Sequence, residues 1–485
     1  MKIPNKYISK YSGLIEIALL ILLGATAPAM TYASVVLSFA VACYLGYIFI
    51  KDPGPWAGKI IITLLCLQNL CIGVGAHLAG NTDTSLMLLT QIPFMTIFVI
   101  WFTGLVYELK KDGFRKFLSD KTNLLFIILL VCIGISFIIG HGSIKSCLLS
   151  ARNMTVFYMV YIIGRRMISD KEEIEDYIRF FLIASVIMCI LGLILMAGGY
   201  EMYKALGLHE AYIAKNASFP EGRLDIRMVR IVGGRLRQRL SSIYFEPVNL
   251  AYMFAVAVLC ALFNNPLKNY MIKAVTLMFS LFGLILTMGK GGYVITVMVI
   301  CCIMGERIIR KLFRLDYKKC GDGILLFVMI ITALSGMMAV ITLLVLFWDG
   351  RELIMPHIHG ILGAMNSVTM RPWGYGLGNG GNAALMFNGN INDNDQWFSI
   401  GGETAFMSFT YQLGIQGIII FMMCVISTGL RRVRKMDALE KVVFCIPWAL
   451  ICVSVLQDNT FTPQCIVPSM LLVGGVWNKR IIKEV

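Results

Sequence analysis

The chain has 485 residues, of which 58% are hydrophobic and only 15% are charged, and its mean hydropathy is +0.76. Soluble domains carry about 25% charged residues, so this composition excludes an ordinary soluble protein and indicates an integral membrane protein. The net charge of +15 does not indicate a nucleic-acid partner, because basic loops in membrane proteins follow the positive-inside rule.

A series of apolar runs, mostly about 20 residues long, fills the chain and lacks the strict alternation of barrel strands. The backbone in lipid must close its hydrogen bonds internally, so the runs predict an all-α, polytopic protein with about 12–14 transmembrane helices. The runs lie near residues 13–28, 31–50, 59–79, 86–107, 122–140, 151–164, 177–198, 245–263, 270–288, 291–305, 323–348, 403–427, 442–457 and 463–478.

The positions of lysine and arginine predict the orientation of a single transmembrane domain over residues 1–485. If the basic N-terminal segment is a cytoplasmic tail and not a signal peptide, most of the 43 basic residues fall in inside loops. Both termini are then inside. Two long segments, 199–244 and 349–402, lie outside as a basic loop and a Gly/Asn-rich loop.

The first outside loop contains the sequence EGRLDIRMVRIVGGRLRQRLSS, which is unusually basic for that side of a membrane. Arg223, Arg227 and Arg230 have helical spacing, so we predict a basic amphipathic helix on the membrane surface. Such a helix either contacts anionic lipid headgroups or binds a phosphorylated substrate, for which the planar guanidinium is suited. The arginines that would bind the phosphate groups of such a substrate are Arg223, Arg227, Arg230, Arg235 and Arg237.

Six charged residues from separate parts of the sequence lie near the predicted outer ends of spans, where a charge costs less than at the bilayer centre because its side chain can reach the interface. Each alone is explained by an interfacial anchor or a structural ion pair, but together they predict one polar cavity that opens outward. Either carboxylate in this set could act as a general base, and Glu403 is preferred slightly over Glu246. The six residues are Arg152, Arg239, Glu246, Lys290, Arg371 and Glu403.

The second outside loop is rich in Gly, Asn and aromatic residues, which favours either sugar binding or a simple turn-rich loop. His357 and His359 in this loop are alternative candidates for the base. They lack further ligands at metal spacing, and the 14 cysteines are scattered through apolar runs, so we expect no metal and no cofactor.

Four motifs follow one another along the second half of the chain. They are Arg239-x-Ser241 with Glu246-Pro247; Thr287-Met288-Gly289-Lys290-Gly291-Gly292; Arg371-Pro372 with Gly374-Tyr375-Gly376-Leu377-Gly378; and Glu403 with Leu413-Gly414 and Gly417. In this order they resemble the O-antigen polymerase and ligase family, which includes the Wzy-type polymerases. Ligases of that family often have a His-Asn pair where this chain has Glu403-Thr404, a difference that favours a polymerase.

The resemblance implies a multi-span, GT-C-like, inverting and metal-independent glycosyltransferase at the outer face of a bacterial inner membrane. It would polymerise undecaprenyl-pyrophosphate-linked repeat units into an O-antigen, capsule or exopolysaccharide, with a chain-length regulator and a flippase as candidate partners. Arg152, Arg239, Lys290 and Arg371 would stabilise the leaving pyrophosphate. The alternatives are an O-antigen ligase, a lipid-linked oligosaccharide flippase or transporter, and a peptidoglycan polymerase or an acyl or phosphoglycerol transferase.

Overall fold

A computed structural model of the protein describes residues 31–79, 89–213, 222–232, 235–314, 323–332, 335, 351–387, 400–402, 404–430 and 436–478. Most of these residues are helical, as the apolar runs predict. The first predicted span, 13–28, lies outside the described residues, as do Glu403 and residues 388–399 of the Gly/Asn-rich loop.

The helices are taken in chain order, with one two-stranded sheet between α8 and α9. They are α1 Thr31–Lys51, α2 Trp56–Ala79, α3 Ile92–Asp112, α4 Phe114–Leu118, α5 Lys121–Ile139, α6 Ile144–Met167, α7 Lys171–Ala205, α8 Leu208–Ile213, α9 Pro247–Phe263, α10 Tyr270–Thr287, α11 Lys290–Leu312, α12 Gly323–Thr332, α13 Arg351–Met370, α14 Gly381–Phe387, α15 Ala405–Gly429, α16 Ala438–Ser454 and α17 Pro463–Val476.

Eight helices within the described ranges are long and apolar enough to cross a membrane: α2, α3, α5, α6, α7, α10, α11 and α15. Four further apolar stretches of 10–17 residues are Val35–Lys51 within α1, and helices α9, α12 and α17. The all-α, polytopic membrane class is therefore confirmed. The larger predicted number counted these four stretches, the 17-residue α16 and the first span as full crossings as well.

The surfaces of the spanning helices are apolar, whereas small and polar side chains face neighbouring helices. In α10, Met278 and Ile285 are more than half exposed, while Thr276, Ser280 and Gly283 are buried. This distribution is the reverse of a soluble helix. It is expected of helices in lipid. The lipid tails are as apolar as the side chains, so apolar side chains remain at the surface, and small residues allow neighbouring helices to pack closely.

The chain forms two compact units. The first consists of Met1–Lys111, Met159–Gly292 and Gly474–Val485, and the second of Asp112–Tyr158 and Tyr293–Val473. The single transmembrane domain over residues 1–485 stays a prediction.

A buried ionic cluster joins α11 and α16 inside the second unit. Glu306 is fully buried and forms an ion pair with Arg310, one helical turn away on α11. The Nζ atom of Lys441 on α16 lies 2.7 Å from the other carboxylate oxygen of Glu306. A buried carboxylate is strongly unfavourable without such partners, so this cluster specifies how the two helices meet.

The amphipathic helix predicted over the basic loop is wrong. Ile226–Met228 form a short 3-10 turn, and an antiparallel β-hairpin follows, with β1 Val229–Val232 and β2 Arg235–Gln238. The helical spacing of the first arginines was outweighed by β-branched residues and by an alternation of period two around Gly233-Gly234, a typical sequence of a two-residue hairpin connection.

Both long segments that were predicted to lie outside, 199–244 and 349–402, contain helices that the sequence did not indicate. α7 continues beyond residue 199 through a kink at Gly199, where φ is 55°. α13 and α14 occupy much of 349–402, so His357 and His359 lie within a helix and not in a loop.

Candidate functional site

The β-hairpin separates its side chains into a basic face and an apolar face. Across the strands Arg230 is paired with Arg237, and Ile231 is paired with Leu236. Because successive residues of a strand point to opposite faces, Arg230, Arg235 and Arg237 share one face and the apolar pair occupies the other.

The basic face leads into Arg239, whose buried side chain is bound to the C-terminal end of α10. Its Nε donates to the carbonyl oxygen of Thr287 at 2.9 Å, and its Nη2 donates to that of Met288 at 3.3 Å. The backbone N–H of Leu240 donates to Leu286 at 2.9 Å. The last carbonyl groups of a helix lack intrahelical partners and carry partial negative charge, so the guanidinium stabilises them in both respects.

Arg230 reaches the same turn, since its Nη1 donates to the carbonyl oxygen of Met288 at 3.4 Å. We refer to residues 225–246 together with 286–290 as the arginine clamp. The clamp attaches the hairpin to the end of a helix that is long and apolar enough to cross the membrane.

Arg227 is held by two carboxylates within the clamp. Its Nε lies 2.9 Å from Asp225 Oδ1 and its Nη1 lies 3.7 Å from Glu246 Oε1. Its guanidinium also lies 4.6 Å from the centre of the Phe245 ring. Arg227 therefore positions Glu246. Because two carboxylates already lie beside its guanidinium, it is less available to an anionic ligand than the sequence predicted.

The backbone of the clamp is strained at three residues that carry side chains. The φ angles are 50° at Ser242, 76° at Phe245 and 50° at Met288. Such conformations cost about 1–3 kcal/mol each and persist where the surroundings fix them, often at functional sites.

The Phe245 ring packs 4.4 Å from that of Tyr212, and burial raises the pKa of Tyr212 well above its ordinary value, so this phenol stays neutral.

Two polar side chains hold the segment between β2 and α9 in this conformation. The hydroxyl groups of Tyr203 and Ser241 lie 2.7 Å apart, and Asn69 donates from Nδ2 to the carbonyl oxygen of Ile243 at 2.8 Å. All four residues are buried. Neither Tyr203 nor Asn69 was a candidate from the sequence. Asn69 is a polar residue in an apolar run, and Tyr203 lies in the segment 199–244 without a distinctive spacing.

Arg235 and Arg237 remain available to a ligand. Both are exposed, and no carboxylate of the described chain lies within ion-pair distance of either. Arg237 stands directly opposite Arg230, and like charges in that arrangement destabilise a sheet. An anion placed between them would relieve the repulsion. Arg223, also exposed, lies just before this segment.

Lys290 is the first residue of α11 and follows the clamp turn directly. Two apolar helices meet here with hardly any loop, since α10 ends at Thr287 and α11 begins at Lys290. Gly289 allows the turn to lie against Ala251 of α9, where a side chain would collide. Lys290 is thus placed beside the carbonyl groups that Arg230 and Arg239 hold.

The second unit contains a different junction between a loop and a helix. α15 is broken at Gly414, where φ is 74° and ψ is −178°. The carbonyl groups of Tyr411 and Gln412 accept hydrogen bonds from the backbone N–H groups of Tyr375 at 2.8 Å and Gly376 at 3.2 Å. Irregular backbone within an apolar helix is tolerated where protein satisfies its polar groups. We call residues 371–381 the glycine turn.

The glycine turn packs backbone against backbone. Gly376 has a φ of 91°, and a Cβ atom there would collide with the Cα atom of Gly140. Gly378 donates its N–H to Gln412 Oε1 at 2.8 Å, and its carbonyl oxygen accepts from Ser146 Oγ at 2.5 Å. This segment therefore has little room to move.

Arg371 stands exposed at the start of the glycine turn. Its guanidinium lies 5.4 Å from the centre of the Tyr375 ring, which stacks in parallel on Tyr411 at 4.4 Å. Trp373, beside it, is 69% exposed. A cation next to exposed aromatic surface suits a phosphorylated sugar, because rings pack on sugar faces and the guanidinium binds the anion.

The other candidates belong to the second unit as well. Arg152 lies inside α6 and not at the beginning of a span, since this helix starts upstream at Ile144; its side chain donates to Asn153 Oδ1 at 3.0 Å. His357 and His359 are two residues apart on α13, so they project in different directions. Glu403 lies outside the described residues. One cavity that unites all six charged residues stays a prediction.

The four motifs of the resemblance are thus in contact two by two. The first meets the second in the arginine clamp of the first unit, and the third meets the Leu413-Gly414 part of the fourth in the glycine turn of the second unit. Asp225, which neutralises Arg227, was missed because an isolated acidic residue among arginines has no distinctive spacing.

Comparison with known proteins gives no match. No family model matches the chain, and neither does any curated protein or solved structure.

Proposed function

We propose that the protein joins lipid-linked oligosaccharide repeat units into a surface polysaccharide and that the arginine clamp binds the pyrophosphate of the undecaprenyl-linked donor. The observation that carries this proposal is the shared basic face of Arg230, Arg235 and Arg237, attached to the end of the spanning helix α10. A lipid pyrophosphate carries several negative charges at the membrane surface, and its oxygens fit the arginine fork.

The arginines then have different roles. Arg235 and Arg237 contact the pyrophosphate, with Arg230 and Lys290 beside them. Arg239 is a positioning residue, because its guanidinium already donates to the carbonyl groups of Thr287 and Met288. In the second unit, Arg371 with its neighbouring aromatic residues is a candidate site for the sugars of the growing chain, and Arg152 remains a candidate phosphate contact.

In the reaction, an acceptor hydroxyl oxygen bonds to the anomeric carbon of the donor as the bond from that carbon to the pyrophosphate oxygen breaks. The bonding electrons leave with the lipid pyrophosphate, and attack from the opposite side inverts the configuration. Preorganised cations stabilise the charge that develops on the leaving group. The acceptor proton passes to a carboxylate, for which Glu246 in the clamp and Glu403 are the candidates.

The proposal places the reaction at the extracytoplasmic face of a bacterial inner membrane, after a flippase has delivered the lipid-linked units. Deletion of the gene tests this most directly. We expect single repeat units on the outer surface and loss of the long polymer on a glycan gel. Units trapped inside would indicate a flippase, long polymer still on its lipid would indicate a ligase, and an unchanged polymer would refute the proposal.

A paired variant tests the clamp itself. The double variant Arg235→Ala/Arg237→Ala should reach the membrane at the normal level and make little or no polymer. The matched control, Lys110→Ala/Lys268→Ala, removes the same charge from exposed positions elsewhere and should leave the polymer unchanged. Full-length polymer from the arginine variant would exclude the basic face as the pyrophosphate site.

A further inference from the structure

The apolar face of the β-hairpin is exposed. Ile231 is 71% exposed and its cross-strand neighbour Leu236 is 65% exposed, while Ile226, just before β1, is 83% exposed. Met228 and Arg239, which lie on the opposite face, are buried against the first unit. The basic side of the hairpin is thus held against the protein near Met228 and Arg239, while Arg235 and Arg237 farther along that side, and the apolar pair on the other side, are exposed.

The clamp determines the level of this apolar face relative to the bilayer. The hairpin is hydrogen-bonded to Leu286, Thr287 and Met288, which are the residues where α10 ends and the chain turns into α11. Both helices are long and apolar enough to cross a membrane. The end of a spanning helix lies near the boundary between acyl chains and headgroups, so the hairpin lies near it too.

The charges of the hairpin suit that boundary. Exposed Arg235 and Arg237 flank Leu236 in the sequence, and their side chains are long enough to reach headgroup phosphates while the apolar residues face the acyl chains. Amphipathic elements that combine large apolar side chains with arginine on the other face lie in the membrane interface. A soluble protein partner would not explain why the apolar face is held at the level of the boundary between acyl chains and headgroups.

We propose that Ile226, Ile231 and Leu236 insert into the bilayer interface beside the end of α10 and that these side chains anchor the hairpin in the membrane. The partner of this surface is the phospholipid bilayer. The inference uses only the membrane location and the hairpin geometry, so it does not depend on the proposed polymerase reaction.

Site-specific photocrosslinking tests the insertion. A genetically encoded benzophenone amino acid replaces Ile231 or Leu236 in the full-length protein, which is then reconstituted in nanodiscs with isotope-labelled phosphatidylglycerol and phosphatidylcholine. Replacement of Arg235 or Arg237 provides the matched control on the opposite face. We expect several-fold more labelled lipid on the protein from positions 231 and 236 than from 235 and 237.

Equal labelling from both faces, or no labelling from positions 231 and 236, would overturn the inference. Adducts between two copies of the chain from these positions would also overturn it, because the surface would then be a protein interface. Two independent apolar positions guard against a variant that folds poorly. Because no glycan substrate is present, the result does not depend on whether the protein polymerises sugars.

Discussion

The arginine clamp and the glycine turn both join a loop to the backbone of a spanning helix, but they do so with opposite chemistry. In the clamp, the side chain of Arg239 carries hydrogen-bond donors to the carbonyl groups at the end of α10. In the glycine turn, Tyr375 and Gly376 bring their own backbone N–H groups to the break in α15.

The two junctions differ in the distance between the backbone segments that they join. In the clamp, a guanidinium spans the gap between two backbone segments and donates hydrogen bonds to the carbonyl groups on the far side. The glycine turn has no gap, because backbone lies on backbone without side chains between. We therefore expect the glycine turn to fail by steric collision and the clamp to fail by loss of individual donors.

The largest effect is expected from Gly376→Ala. The new Cβ atom would collide with Gly140, and the positive φ is unfavourable for alanine, so we expect a loss of about 3 kcal/mol or more in the free energy of unfolding. Thermal unfolding of the purified protein in detergent measures this. Gly134→Ala is the control, because open space surrounds it. If both variants melt like the wild type, backbone contact at Gly376 is absent.

The next effect is expected from Arg239→Ala. The carbonyl groups of Thr287 and Met288 would lose their donor in a buried place, at a cost of about 2–3 kcal/mol. Arg239→Lys should recover only part of this stability, since an ammonium group does not match the fork geometry. The same melting assay decides, and a lysine variant as stable and active as the wild type would contradict the clamp.

A smaller difference is expected between two arginines of the clamp. Arg227→Ala leaves the buried Asp225 without its cation and should cost about 1–3 kcal/mol. Arg235→Ala removes an exposed side chain and should change stability by less than about 0.5 kcal/mol. Thermal unfolding of the two variants side by side tests this order. Equal destabilisation would mean that Arg235 has a structural role.

The smallest effect compares one phenol from each region. Tyr203→Phe leaves the buried hydroxyl of Ser241 without this partner and should cost about 1 kcal/mol. Tyr375→Phe should cost less, because the carbonyl oxygen of Ser367 that it contacts also accepts from the backbone of Arg371. The two melting temperatures should differ in that order, and a reversal would show that the glycine turn relies on side-chain donors.

The sequence identified many residues of the site but did not show which of them are in contact. Arg239, Glu246 and Lys290 were chosen because charges at the ends of apolar runs need a reason. Their contacts with carbonyl groups could not be predicted, because a backbone acceptor has no residue type to recognise. The hairpin was misassigned since Arg223, Arg227 and Arg230 have helical spacing, while the alternation from Val229 onward was the stronger signal.

The sequence by itself determined that the chain is a membrane protein and where its long apolar helices lie, because transfer of apolar segments into lipid depends on local composition. Tertiary structure alone decided which motifs meet, which arginines are occupied and which face of the hairpin is exposed. Those outcomes depend on contacts between residues far apart in the chain, such as Arg239 with Thr287 and Gly376 with Gly140. Local periodicity carries no information about them.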